Sequence, residues 1–270
     1  MSDVVVNDTK APRVSVLLAA YNAEDTLAEA LESIRAQDFP DWELIIIDDG
    51  SVDGTRKVAE RFAVSDSRAR VVTMKQNVGL PRSLNHALNL ARGEYVARMD
   101  ADDRCVDSRF RRQVAFLDAR PDVAILGAGA YETDEDGEVI STLVRPSEHA
   151  ELSALIFLEN PFIHPTVMAR RSALLELDGY DARLRRGQDY DLWLRAHQKF
   201  GMHNLPEPLI WYRRRRHPTW RDARYSAQVL LRALHREGKL WQAPWVIGRP
   251  LLATAFELLR PRMARVTDAA

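Results

Sequence analysis

Four short, largely apolar runs, each ending in or followed closely by polar side chains, constrain this chain more than any other feature. VSVLLAA (14–20), ELIIIDDG (43–50), ARVVTM (69–74) and EYVARMD (94–100) are too short for buried helices and read as strands covered on both faces. Helical patterns lie between them: Leu27, Leu31 and Ile34 share one face, as do Val58 with Phe62 and Leu84 with Leu88. Strand and helix taking turns predicts a parallel sheet with right-handed crossovers, the Rossmann-like α/β class. Ligands of such sheets bind at the carboxyl ends of the strands. Tyr21 and Asn22 follow the first run, Asp48 and Asp49 end the second, Asn77 follows the third, and Asp100, Asp102 and Asp103 end the fourth. The topology predicts that all of them meet on one rim.

The second half is patterned differently. VAILGAGAYETDEDGEVI (123–140) predicts two strands around an Asp-Gly turn, and HAELSALIFLEN (149–160) a helix. HPTVMARRSALLELDGY (164–180) predicts a short strand and a helix, and QDYDLWLRAHQKF (188–200) a helix with Tyr190, Leu192 and Leu194 along its buried side. No repeat or low-complexity linker divides the two patterns. We therefore expect one domain over 12–216, with a ligand-binding half at 12–107 and a half at 108–216 that shapes a second site. A helical extension is expected over 217–270.

Bulk chemistry excludes several classes. A formal net charge of -1 gives no global positive field to neutralise phosphates, so a nucleic-acid partner is not expected. Cys105 is the single cysteine, which rules out an internal disulfide and a cysteine zinc site and suits a reducing compartment. The first residues, MSDVVVNDTKAPR, lack a secretory pattern, and no stretch reaches the roughly 20 uncharged apolar residues that span a bilayer. A cytoplasmic location follows as the expectation, at the inner face of the plasma membrane if the tail binds lipid. That tail, 239–266, interleaves Trp241, Trp245, Val246, Ile247, Leu251 and Leu252 with Arg249, Arg260, Arg262 and Arg265, a mix suited to a membrane interface or to docking on the domain.

The acidic stretch MDADDR (99–104) needs its own account, because carboxylates this close repel one another unless water, a helix N-terminus or a cation holds them. Asp100 and Asp102, two apart at a strand end, can face one cavity, where hard oxygen ligands suit Mg²⁺ or Mn²⁺. The plainer alternative has Asp107 or Ser108 capping the helix at RFRRQVAFL while the earlier acids decorate a turn. In IIIDDGSVDGT (45–55), Ser51 or Asp53 suits an N-cap. AAYNAED after the first run lacks the Gly-rich turn of a dinucleotide fold. Asp49 therefore suits a carboxylate that accepts a nucleobase N–H, with Tyr21 stacking on the base.

Taken in order, VSVLLAAYNAEDTLAEALESIRAQ, WELIIIDDGSVDGT, NVGLPRSLNHALNLARGEYVARMDADD, HPTVMARRS and GQDYDLWLRA resemble the family 2 glycosyltransferases of GT-A fold, over roughly residues 12–216. The resemblance implies a nucleotide-sugar donor, often a UDP-sugar, bound at the first-half rim, and inversion at the transferred sugar. It implies nucleoside contacts from Ala19, Tyr21 and Asp49, donor contacts from Asp100, and a divalent metal, Mg²⁺ or Mn²⁺, held by Asp102 in the Asp-x-Asp motif that encloses Ala101. It implies a catalytic base at Asp189, with Gln188 standing where members commonly carry Glu. Asn22 joins the donor set by its place on the rim, and Arg82, at the start of a helix near the third strand end, could reach a phosphate. His164 lies in a block the family shares and could line the acceptor site or serve as a structural histidine at a turn. His217 falls two residues late for the family's Tyr-Arg-x-His pattern, and Arg213–Arg216 could form a solvated basic loop or a diphosphate contact.

The expected acceptor is a growing bacterial surface glycan or glycolipid on a lipid carrier, by family analogy. Two other enzyme classes fit worse. A sugar-1-phosphate nucleotidyltransferase needs a Gly-rich basic loop after the first strand, and an Asp-nucleophile phosphatase places Asp-x-Asp after the first strand instead of the fourth. A nucleotide-sugar-binding protein without catalysis would have no need of both Asp102 and Asp189. Asp191, two residues beyond Asp189 on the same helix, points some 160–200° away by helical geometry and suits a cap or an arginine pair.

Overall fold

The computed structural model describes residues 11–213 and 220–248. Its first half alternates as the pattern predicts: β1 (Val14–Ala20), α1 (Leu27–Arg35), β2 (Trp42–Asp48), α2 (Thr55–Ser65), β3 (Ala69–Thr73), α3 (Leu80–Leu90) and β4 (Tyr95–Asp100). β1 pairs in parallel with β2 and β4, and β2 with β3. The runs are continuous in apolar residues because both faces are covered. Val16, Leu18, Leu44 and Ile46 pack under α1, α2 and the later helix α4 (Arg109–Ala119). Leu17, Ile45 and Ile47 face the opposite core, which α3 enters with Leu84 and Leu88. Period-2 alternation sends successive side chains to opposite layers, and each layer is apolar.

After β4 the chain leaves the parallel scheme. β5 (Arg104–Cys105), β6 (Val123–Thr133), β7 (Val139–Leu143), β8 (Met168–Arg170) and β9 (Gly201–Arg213) complete, among the described residues, a nine-stranded mixed sheet ordered β3-β2-β1-β4-β8-β6-β9-β5, with β7 on β6. β8 runs antiparallel to β4, so the second half is hydrogen-bonded onto the first as one sheet. β9 has no counterpart in the sequence expectations. Its segment GMHNLPEPLIWYR carries Pro206 and Pro208, which cannot donate to a ladder. The structure accommodates them at a register shift, where Ala128 pairs with Leu205 but Gly129 with Pro208.

The helices α5 (His149–Leu155), α6 (Arg171–Glu176), α7 (Gln188–Ala196) and α8 (Trp220–Arg236) cover the α3 face. α7 departs from the expected one-sided burial: Tyr190, Leu192, Trp193 and Leu194 are all buried. The reason is α8, which lays Val229, Leu230, Ala233 and Leu234 into the same core. α8 is thus part of the packed body. In the tail, Val246 is buried in this core while Trp241 and Trp245 are 74% and 80% exposed. The remainder of the tail, 249–266, lies outside the described residues.

Candidate active site

β4 ends in Asp100, and the turn after it carries Asp102 and Asp103. One carboxylate oxygen from each of the three lies within 4.8 Å of the others. Asp103 is buried; its Oδ1 accepts the Arg213 N–H at 2.9 Å, and its Oδ2 is buried without a hydrogen-bond partner. Burial, reinforced by the charges of Asp100 and Asp102, holds the Asp103 carboxyl well above the usual carboxylate range. Arg98, two residues earlier and therefore on the same side of β4, pairs with Asp100. Ser108, the N-cap residue of α4, makes no side-chain cap hydrogen bond. An all-oxygen donor set with an orphaned buried oxygen fits a hard divalent cation.

The rim expected to bind a nucleotide forms around this cluster. Ala19 lies beside Asp100 and Ala20 beside Asp48 in the sheet register. Tyr21 is 49% exposed, with its ring available at the rim. Asn22 adopts φ 49, a left-handed conformation that Asn tolerates, and locks two loops together. Its N–H donates to Ser51 Oγ at 3.1 Å, and its Oδ1 accepts the Val52 N–H at 3.0 Å. Asp49 is buried and accepts the N–H groups of Val78 and Gly79 at 2.8 and 2.9 Å. Its first task is to hold the loop that leads into α3, and each oxygen keeps a second lone pair. Gly50, at φ 73, makes that approach possible, because a Cβ there would stand 2.5 Å from the Gln76 carbonyl carbon. Ala101 packs its methyl into the α4-side core.

The second half contributes Asp189. Gly187, left-handed at φ 71, starts α7, and Asp189 in the first turn accepts a hydrogen bond from Asn160 Nδ2 at 2.7 Å. Asp191 points the other way and is buried between Arg195 (2.8 Å) and Arg236 (2.9 Å), the structural pairing expected of it. His164 sits in a short 3₁₀ turn, His164–Thr166, with Nε2 3.0 Å from the Tyr180 hydroxyl. Burial pushes the Tyr180 phenol up, aided by the charges of Asp189 and Asp100, so it stays neutral beside the imidazole.

Part of this set shares one space, whose lining does not include Tyr21, Asn22, Asp49 or Asp102. A cavity of about 740 Å³ is lined by Asp100 and Arg98 from the first half and by Asn160, His164, Gln188 and Asp189 from the second. Arg82 is not in it. It lines an adjoining cavity of about 620 Å³ with Gln76, Asn77 and Arg185, and Arg185 borders both. Arg213 is engaged by Asp103 through its N–H and by the Glu135 carbonyl through Nη1, at 2.9 Å each. His217 and Arg214–Arg216 lie outside the described residues. Sequence reasoning did not single out Asn160, Arg98 or Tyr180, and it did not rank Asp103 as a ligand. Asn160 is 29 residues from the carboxylate it holds, and no local periodicity reports such a contact. For Arg98 a signal did exist: a charged residue inside an apolar strand needs a buried partner.

Comparison with known proteins agrees with this geometry. The model of the family "Glycosyl transferase family 2" matches residues 15–178. The Bacillus subtilis protein EpsE is 42% identical over 202 residues, 73% of this chain and 72% of its own. The amylovoran biosynthesis glycosyltransferase AmsE of Erwinia amylovora is 34% identical over 202 residues, 73% of this chain and 74% of its own. Among solved structures, S. aureus TarS 1–349 in complex with UDP-GlcNAc superposes with a TM-score of 0.70 at 20% identity, over 92% of this chain and 76% of that one. With the family matched over most of the sheet and the fold shared with TarS, the chain belongs to glycosyl transferase family 2 and carries its GT-A type α/β fold.

Proposed function

We propose that the protein is an inverting glycosyltransferase that moves a sugar from a nucleotide-sugar, of the UDP-sugar class, to an acceptor hydroxyl. The observation that carries this is the shared cavity, walled by Asp100 from the first half and Asp189 from the second. Asp102, with Asp100 and Asp103 beside it, would hold Mg²⁺ or Mn²⁺, and such an ion, when bound, stabilises the charge that builds on the departing diphosphate. Tyr21 offers a stacking face to the base, while Asp49, Asn22, Ala19 and the Ala101 backbone shape the nucleoside rim. Asp189 takes the proton of the acceptor hydroxyl; Asn160 holds Oδ2 and leaves Oδ1 for the acceptor. One base and one displacement give inversion. His164, held by Tyr180, lines the acceptor side. The UDP-GlcNAc bound by TarS supports the donor class, and the name of AmsE supports a role in bacterial surface polysaccharide synthesis.

The test is incubation with a panel of UDP-sugars, with Mn²⁺ or with EDTA, followed by quantification of released UDP and NMR of the product's anomeric configuration. Release with Mn²⁺, loss with EDTA and an inverted product are expected. A retained configuration rejects the mechanism, and full activity in EDTA rejects the metal.

Among the described residues no helix is long and apolar enough to cross a membrane. The exposed Trp241 and Trp245 support peripheral contact with the inner membrane face, where a lipid-linked acceptor would lie. In liposome flotation the wild type should float and Trp241→Ser/Trp245→Ser should not; equal flotation removes the membrane contact.

A further inference from the structure

We propose that Arg185 grips the diphosphate of the donor, where the two cavities of the site meet. The inference rests on the nucleotide-sugar reading above and adds a residue to it.

The 740 Å³ cavity presents the carboxylates of Asp100 and Asp189. The 620 Å³ cavity beside it is walled by Arg82, Arg183 and Arg185, with Gln76 and Asn77 and no carboxylate among its lining residues. The first cavity sets its two carboxylates beside Arg98, Arg145 and Arg186, whereas the second has cations alone, and Arg185 is the residue that lines both spaces. A nucleotide-sugar has a matching profile: an uncharged sugar ring at the reacting end and anionic phosphates just behind it.

The surrounding arginines differ in how far their charge is already matched. Arg183 is held by Asp181 through Nε and Nη2 at 2.9 Å each, and Asp181 is lowered to about 2 mainly by that bond. Arg98 is matched by Asp100, and Arg145 by Glu159 at 3.4 Å. Arg185 makes no ion pair with any described carboxylate. A planar guanidinium in that state, at the mouth of a carboxylate-free cavity, suits bidentate contact with phosphate oxygens.

Its place in the chain adds a functional link. Arg185 lies two residues before the left-handed Gly187 that starts α7, and Asp189 lies two residues after it. A single short segment thus presents a cation to the leaving group and the base to the acceptor. Phosphate charge grows as the sugar bond breaks, so Arg185 should favour the transition state over the bound ground state.

The experiment is isothermal titration of the full chain with UDP and UMP in Mg²⁺, repeated with GDP and GMP, for wild type, Arg185→Ala and Arg185→Lys. Arg185→Ala should weaken diphosphate binding about 10- to 100-fold and monophosphate binding by less than about 3-fold, as expected for one charge-assisted contact. Arg185→Lys should fall between, since it keeps the charge and loses the fork. In transfer assays kcat should fall for Arg185→Ala, and the thermal midpoint should stay put because no ion pair is lost. Equal losses for diphosphate and monophosphate, or no loss, overturn the assignment of Arg185. A wild type that binds none of the four nucleotides overturns the nucleotide-sugar reading itself and this inference with it.

Discussion

The two halves of the site handle negative charge in opposite ways. The β4 end crowds Asp100, Asp102 and Asp103 within reach of one another, and burial of Asp103 sharpens the repulsion. The start of α7 separates its acids. Asp189 faces the cavity with a neutral amide beside it, while Asp191 turns into the body between two arginines. A crowded set is tolerable where a cation can be shared, whereas a proton acceptor works as a single ionised group of defined orientation. On the proposed reading the same residue type serves as a ligand set in one place and a base in another, while at Asp191 it forms a structural ion pair.

The largest test of this contrast is Asp189→Asn. Transfer should fall about 10²- to 10⁴-fold, the usual cost of losing a general base, with donor affinity unchanged in titration. If affinity falls along with rate, the division between donor half and acceptor half breaks. Asp102→Asn should cost on the order of 10³-fold in rate and should flatten the dependence on Mn²⁺. An unchanged Mn²⁺ titration would move the metal away from this turn.

Asp191→Asn sharpens the comparison inside one helix. Both oxygens of this buried carboxylate are engaged by arginines, and partial exposure of Arg236 softens the loss, so about 2–3 kcal/mol of stability should disappear in urea unfolding. Transfer by the protein that remains folded should persist. An inactive but fully stable variant would exchange the roles of Asp189 and Asp191.

The smallest effect has the opposite sign. Folding raises the Asp103 pKa above its ordinary value, so ionising Asp103 costs the folded state. The Asp103 contribution to metal-free stability should therefore be fully present below the ordinary carboxylate range and be lost as pH climbs through the raised value. Asp103→Asn keeps the acceptor for the Arg213 N–H and removes the charge. It should raise the metal-free melting temperature at neutral pH, lose that advantage in acid, and reduce the stabilisation that Mn²⁺ gives the wild type. A lower metal-free melting temperature at neutral pH would show that repulsion is not what governs this turn.

Much of the first half was legible because its signals are local. A strand buried on both faces writes itself as an unbroken apolar run, and α1 and α3 write their buried faces at helical spacing. The rim residues followed from topology, since parallel strands must end on the same side. β9 was not legible because Pro206 and Pro208 are strand breakers unless a partner strand shifts register to pass them, and that partner begins some 80 residues earlier, at Val123. The one-sided burial expected of α7 failed for a similar reason: α8 covers its other side, and helical periodicity shows that a face is apolar only when the opposite face is wet.

By itself the sequence determined the alternation of strands and helices in the first half, the acids at its rim and the acid at the start of α7, because each follows from spacing along a strand or a helical turn. Tertiary structure alone decided that Asn160 holds Asp189, that the Arg213 backbone reaches Asp103 across 110 residues, and that Arg185 borders two cavities. These outcomes depend on which distant segments share a wall. Chain closure over such separations is entropically cheap per added residue, so the partner is chosen by packing of the whole sheet and leaves no mark on the local pattern.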